Sequence, residues 1–132
     1  MAISKILICD DEENICESLK LILGDHYNLI AVDCGDMALE VLSHSQEIKV
    51  MLLDIALDSR FRGNDKLLMN DKSGIDVLQK IKKDFPHVKI ILIGGHKSTN
   101  TATEATRLGA NGHISKPLKA EEILETVKKN MD

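Results

Sequence analysis

The sequence predicts an α/β fold: a doubly wound parallel sheet with helices on both faces. Three observations predict it. Short, nearly continuous apolar runs recur along the 132 residues. Segments with helical spacing lie between those runs. Strand then helix repeats five times, with no internal repeat and no second domain. Continuous apolar runs mark strands covered on both faces, as in parallel sheets, whereas half-exposed strands alternate. Strand–helix alternation implies crossover connections, and their right-handedness leaves few topologies.

The strand runs are Ile6-Leu7-Ile8-Cys9, Leu29-Ile30-Ala31-Val32, Val50-Met51-Leu52-Leu53 and Ile90-Ile91-Leu92-Ile93, with a weaker fifth around His113-Ile114. Ile15, Leu19, Ile22 and Leu23 share the face of a first helix, stopped by Gly24. Ala38, Leu39 and Leu42 mark a second. Ile75, Leu78 and Ile81 mark a third, ended by Phe85-Pro86. A fourth is predicted over 98–108, where Thr101 and Glu104 fit a capping box, although its threonines are weak helix formers. Ala120, Leu124, Val127 and Met131 mark the fifth, preceded by Pro117.

One stretch breaks this rhythm. Between Asp54 and Gly74, residues 58–66 show neither period. Connections in α/β units run about 2–6 residues, so an inserted loop is expected at about 57–72 of a single 1–132 domain. A surface insertion is the plain reading, because lengthening a loop costs little. The sharper reading is a lid or docking element anchored by Leu67-Leu68-Met69, with Arg60, Arg62 and Lys66 approaching Asp54 or a partner's acidic surface. The segment also resembles translated genomic repeat sequence, which favours the passive reading.

Composition excludes several classes. With 43% hydrophobic residues the chain can bury a full core without disulfides. Seventeen Lys+Arg against 21 Asp+Glu give a net charge of −4. That balance, with no Trp and only Tyr27, Phe61 and Phe85 as aromatics, argues against direct nucleic-acid binding. No apolar run approaches the roughly 18 residues of a membrane span. The opening Met1-Ala2-Ile3-Ser4-Lys5 lacks the features of a signal peptide, so a cytoplasmic location is expected. Cys9, Cys16 and Cys34 read as small buried hydrophobes of a reducing compartment. His26, His44, His87, His96 and His113 show no ligand spacing.

In a doubly wound sheet, sites form beyond the carboxyl ends of the strands. The first strand ends in Asp10-Asp11-Glu12, the third in Asp54, and the fifth is followed by Lys116-Pro117. If the first and third strands are neighbours, carboxylates converge at one edge with a lysine opposite. Like charges a few ångströms apart oppose folding, and a cation relieves them. Carboxylate and carbonyl oxygens in a hydrated site suit Mg²⁺ or Mn²⁺. A carboxylate, a divalent ion and a lysine are also what phosphoryl transfer to an aspartate requires, with Asp54 as nucleophile. The plainer alternatives are that Asp10 and Asp11 are helix N-terminal charges, Asp54 an idle loop-start residue and Lys116 a solvated side chain.

These motifs resemble the receiver domain of two-component response regulators. Ile6-Leu7-Ile8-Cys9-Asp10-Asp11-Glu12 is similar to that family's opening strand and acidic pair, and Leu52-Leu53-Asp54 to its phosphoacceptor strand. Ser73-Gly74-Ile75-Asp76-Val77-Leu78 resembles the turn and helix that follow. Leu108-Gly109-Ala110-Asn111-Gly112-His113-Ile114-Ser115-Lys116-Pro117-Leu118 resembles its closing motif. The resemblance implies a flavodoxin-like sheet of five strands in order 2-1-3-4-5 with five helices. It implies phosphorylation of Asp54 by a histidine kinase or phosphotransfer protein. It implies Mg²⁺ ligated by Asp11, Asp54 and the backbone carbonyl of Ala56, with Asp10 acting through water and Lys116 contacting the phosphoryl group. A cis Lys116–Pro117 bond is implied too.

The chain also departs from the family pattern. Receivers usually carry Thr or Ser at the end of the fourth strand, where this chain has Gly94. The family's switch aromatic aligns with His113. The acceptor and metal side is thus intact and the relay side altered. The leading expectation is a phosphoacceptor signalling domain, not an enzyme acting on a metabolite. Output would come from binding a downstream partner, or from an output domain outside this chain. The fourth helix, fifth strand and fifth helix are the expected surface, with a homodimer through those elements as a further option. The alternative is an atypical receiver acting as a phosphorylation-independent interaction module. A haloacid-dehalogenase-like phosphatase fits poorly, because its acidic pair stands two residues apart.

Overall fold

The structure is a computed structural model; it describes residues 4–54, 73–94, 106–107 and 109–131. In chain order these are β1 (Lys5–Cys9), α1 (Glu13–Leu23), β2 (Asn28–Val32), α2 (Gly35–His44), β3 (Ile48–Asp54), α3 (Ser73–Asp84), β4 (Lys89–Gly94), β5 (Gly112–Ser115) and α4 (Ala120–Met131). The five strands form one parallel sheet in the order β2-β1-β3-β4-β5. This is the order that the resemblance implied. Four helices are seen among the described residues. The helix predicted over 98–108 falls outside them except for Thr106 and Arg107, which are helical. The loop expected at 57–72 lies wholly outside them.

The apolar runs do what their continuity predicts. Ile6, Leu7, Ile8 and Cys9 of β1, and Val50 to Leu53 of β3, are fully buried. Their side chains alternate between two cores. Leu7, Met51, Leu53, Ile90 and Leu92 face the α2–α3 side with Leu42, Leu78 and Ile81. Ile6, Ile8, Leu52, Ile91 and Ile93 face the α1–α4 side with Leu19, Leu23, Ile123 and Val127. Each fully buried aliphatic side chain contributes about 1.5–3 kcal/mol, so the central strands anchor the fold.

Two expectations need correction. The run 29–32, at the sheet edge as the order implied, is less covered than its unbroken apolar character predicts: Ala31 is exposed and Leu29 and Ile30 are half-buried. Apolar continuity marks strands buried on both faces at the centre of a sheet, and an edge strand can share it with less cover. In α4 the buried stripe is Ile123 and Val127, whereas Ala120 is exposed and Leu124 and Met131 only flank the core.

At the end of the sheet away from the strand tips, one side chain stands in for strand pairing. Asn111 Oδ1 accepts the Ile90 N–H at 3.0 Å and a bond from Lys82 Nζ at 3.1 Å. Its own N–H donates to the Ile90 carbonyl at 2.7 Å. Gly109, just before, has φ +110°, a conformation that side chains rarely adopt. This lock fixes the entry of β5 beside β4, and hence where Lys116 emerges at the other end.

Candidate acidic site at the strand tips

The acidic tips are side by side. In the β1–β3 ladder Cys9 pairs with Leu53, so Asp10 and Asp54 leave neighbouring strands at the same level. One carboxylate oxygen from each of Asp10, Asp11 and Asp54 lies within 4.8 Å of the others. Asp10 and Asp54 are 2% and 3% exposed, whereas Asp11 is exposed. The cluster therefore has a buried floor of two acids and one acid at the solvent rim.

Local bonds hold Asp10 in place. Its backbone N–H donates to the Val32 carbonyl at 3.1 Å, tying it to the β2 edge. Its Oδ1 accepts the Glu12 N–H at 2.8 Å, closing the turn into α1. The Cys16 thiol reaches the Asp10 carbonyl at 3.6 Å. Asp10 Oδ2 is buried and has no hydrogen-bond partner among the described residues. Burial first, then the charge of Asp54, push the Asp10 carboxyl up to about 7, against the pull of the Glu12 N–H and Lys116.

Lys116 closes the other side. Its Nζ lies 3.9 Å from Asp54 Oδ1 and 3.6 Å from Glu12 Oε1. Its N–H donates to the Gly94 carbonyl at 2.9 Å, which fixes the turn after β5 to the tip of β4. The Lys116–Pro117 bond is cis. Beside the acids opens a cleft of about 500 Å³ whose wall includes Cys16, Asp33 and Met37. Glu12 as the second partner of Lys116, and Asp33 on the cleft wall, received no role from the sequence. Asp33 directly follows the end of β2, and Glu12 stands in the β1–α1 turn just before α1; those positions are the signal that marks them.

Of the residues singled out from the sequence, Asp10, Asp11, Asp54 and Lys116 are brought together. Ala56 lies outside the described residues. Gly94 and His113 meet each other on β4 and β5. The cysteines are free, with Cys9 and Cys34 buried and Cys16 half-buried. Burial raises the thiol pKa of both Cys9 and Cys16, with nearby acids adding to it, which keeps both in the unreactive thiol form.

The donor set fits a small divalent cation: oxygen ligands only, a buried carboxylate oxygen with no partner, and a rim open to water.

The family model of the response regulator receiver domain matches residues 6–128. The chain belongs to the response regulator receiver family. Among relatives, it is 29% identical over 130 residues to an NtrX-like response regulator of Rickettsia bellii, covering 98% of this chain and 25% of that one. It is 26% identical over 125 residues to the response regulator VraR of Staphylococcus saprophyticus, covering 95% of this chain and 55% of the relative. The receiver domain spans about a quarter of the length of the NtrX-like relatives it matches. Among solved structures, the receiver domain of NtrX from Brucella abortus superposes with a TM-score of 0.82 at 30% identity, over 96% of this chain and 97% of that one. A CheY-like receiver from Methanospirillum hungatei gives 0.80 at 26% identity, over 99% and 95%. The fold, the family and its place in two-component phosphorelay signalling follow. Among the described residues, no helix is long and apolar enough to cross a membrane.

Proposed function

We propose that this receiver takes a phosphoryl group on Asp54 from a phosphohistidine of a histidine kinase or phosphotransfer protein. The observation that supports it most is the convergence of Asp10, Asp11 and Asp54 with Lys116 at one strand edge. In the transfer an Asp54 carboxylate oxygen forms the new O–P bond as the P–N bond of the donor imidazole breaks. A carboxylate nucleophile has no proton to lose, so the transfer requires no general base. Asp10, Asp11, Asp54 and the Ala56 carbonyl would hold Mg²⁺ or Mn²⁺, which when bound neutralises phosphoryl oxygens. Lys116 supplies the protein's own positive charge beside Asp54, where phosphoryl charge accumulates. Glu12 holds the ammonium at the mouth of the site, ready to shift between carboxylate and phosphoryl.

The chemistry is confined to the chain's own aspartate, both its phosphorylation and its slow hydrolysis. The phosphorylated domain signals in the cytoplasm by altered binding to a downstream partner or to an attached output domain. The test is incubation with Mg²⁺ and acetyl phosphate, read by intact mass, or with beryllofluoride, read by NMR. One added phosphoryl group that disappears in Asp54→Asn supports the reading. No modification and no shift would instead favour a phosphate-independent interaction module, a second reading motivated by Gly94 at the tip of β4.

A further inference from the structure

The outer side of the edge strand β2 takes no part in the acidic site. Its five residues, Asn28-Leu29-Ile30-Ala31-Val32, include no charge and no proline, and its register with β1 runs without a shift. Proteins ordinarily blunt an open edge with a charge, a proline or a bulge. Backbone bonds fix which groups face outward. The Asn28 N–H donates to the Ser4 carbonyl at 3.0 Å and the Val32 carbonyl accepts the Asp10 N–H at 3.1 Å, so both residues turn their backbone toward β1. Successive residues of a strand turn to opposite edges, so Ile30 also faces β1, while the N–H and C=O of Leu29 and Ala31 face away. Those outward groups have no partner among the described residues.

We infer that β2 pairs antiparallel with β2 of a second copy, about a two-fold axis through Ile30, and joins two five-stranded sheets into one. Such a contact requires one surface to fit itself. About Ile30, Leu29 stands opposite the second copy's Ala31, and Ala31 opposite its Leu29. Both are hydrogen-bonded pairs, because all these residues turn their backbone outward, and every outward N–H meets a C=O. Between them Ile30 meets its own copy as the non-bonded pair, in which side chains approach more closely. Leu29 then packs on the α1–α4 face and Ile30 on the α2–α3 face. Further out, Tyr27 stands opposite the second copy's Asp33, a phenol O–H against a carboxylate, and no carboxylate opposes another. A register centred on Leu29 would instead set Ala31 against the Tyr27 N–H, which already donates to the Leu23 carbonyl at 3.0 Å. This self-fit of charge and hydrogen bonding is what selects a second copy as the occupant. Asp33 also walls the cleft beside Asp10 and Asp11, so the seam ends at the rim of the acidic site. The inference does not rest on phosphoryl transfer, because the edge is open in the unmodified chain.

The test uses the full unmodified chain. In sedimentation from about 10 µM to about 1 mM, the mass is expected to rise from one copy toward two. Over that range the Leu29 and Ala31 amides shift in NMR spectra and exchange with solvent more slowly, whereas exchange at the Ile30 amide, already bonded to β1, is unchanged. Ala31→Pro deletes an outward N–H and no bond to β1, so the fold is kept and the dimer weakens by at least about tenfold. Ala31→Lys leaves the backbone intact and sets an ammonium on the seam; it weakens the dimer too, and serves should the proline variant fail to fold. A dimer unmoved by the substitutions, or concentration-dependent shifts at His113 and Ser115 of β5 in place of Leu29 and Ala31, would overturn the inference. So would a chain still monomeric at about 1 mM, which would leave the edge to an extended segment of another protein.

Discussion

Replacing Asp10 by Asn measures the electrostatic cost built into the acidic site. In the folded chain the Asp10 carboxyl is pushed from 3.8 up to about 7 by burial and by Asp54. Between those values the native carboxyl is protonated while the unfolded one is ionised, so stability falls as pH rises through that window. The penalty is absent below the unfolded value and complete above about pH 7. At 1.36 kcal/mol per tenfold change, the displacement is worth about 4 kcal/mol at pH 8 and about 2 kcal/mol at pH 5. Asparagine retains the Oδ1 acceptor for the Glu12 N–H, but it puts an amide group where Oδ2 has no partner among the described residues, at a cost of about 1–2 kcal/mol. The variant is therefore expected to be more stable than wild type by about 2–3 kcal/mol at pH 8, and about equal to it at pH 5. The assay is urea denaturation in EDTA at both pH values. It is followed by far-UV circular dichroism, since the chain has no Trp. Added Mg²⁺ should narrow the gap at pH 8 by stabilising the wild type. A variant no more stable than wild type at pH 8, or equally stabilised at both pH values, would refute the reasoning.

Other outcomes follow from the same geometry. Lys116→Ala should slow phosphoryl uptake from acetyl phosphate by about 10²-fold with the dichroism spectrum unchanged, because it removes the positive charge beside Asp54; intact mass against time checks it. Leu52→Ala should cost about 2–5 kcal/mol in urea melts, since this side chain is fully buried in the α1–α4 core. Asn111→Ala should cost about 1–3 kcal/mol, because it strips the Ile90 N–H and Lys82 of a shared acceptor. Hydrogen exchange at the Ile90 amide, faster in that variant, is the local readout.

Much of the site was legible in the sequence, because strand ends are legible. The runs ending at Cys9 and Leu53 place the next residue at a strand tip, and both tips are aspartate. Whether those tips touch depends on β1 lying beside β3. Periodicity does not carry that order; the family resemblance did, and the structure bears it out. Apolar pattern alone did not carry lateral position: Leu29 and Ile30 are as apolar as Ile90 and Ile91 but stand at an edge, where the order implied by the resemblance puts them. The Asn111 lock was illegible because its partners, Lys82 and Ile90, come from elements distant in sequence. Position 94 was readable as a missing hydroxyl. That the neighbouring ring fills the vacated space needed coordinates.

The strand order also sets a sequence in time. β1, β2 and β3, with both helices between them, all lie within the first 54 residues, so the two strands that carry Asp10 and Asp54 are made before the rest of the sheet. The counter-charge, Lys116, stands far downstream of both acids and leaves the ribosome after them. Any pairing of β1 with β3 before that point places the two acids together without the matching ammonium. Cations of the surrounding medium are the screen available to the nascent chain in that interval.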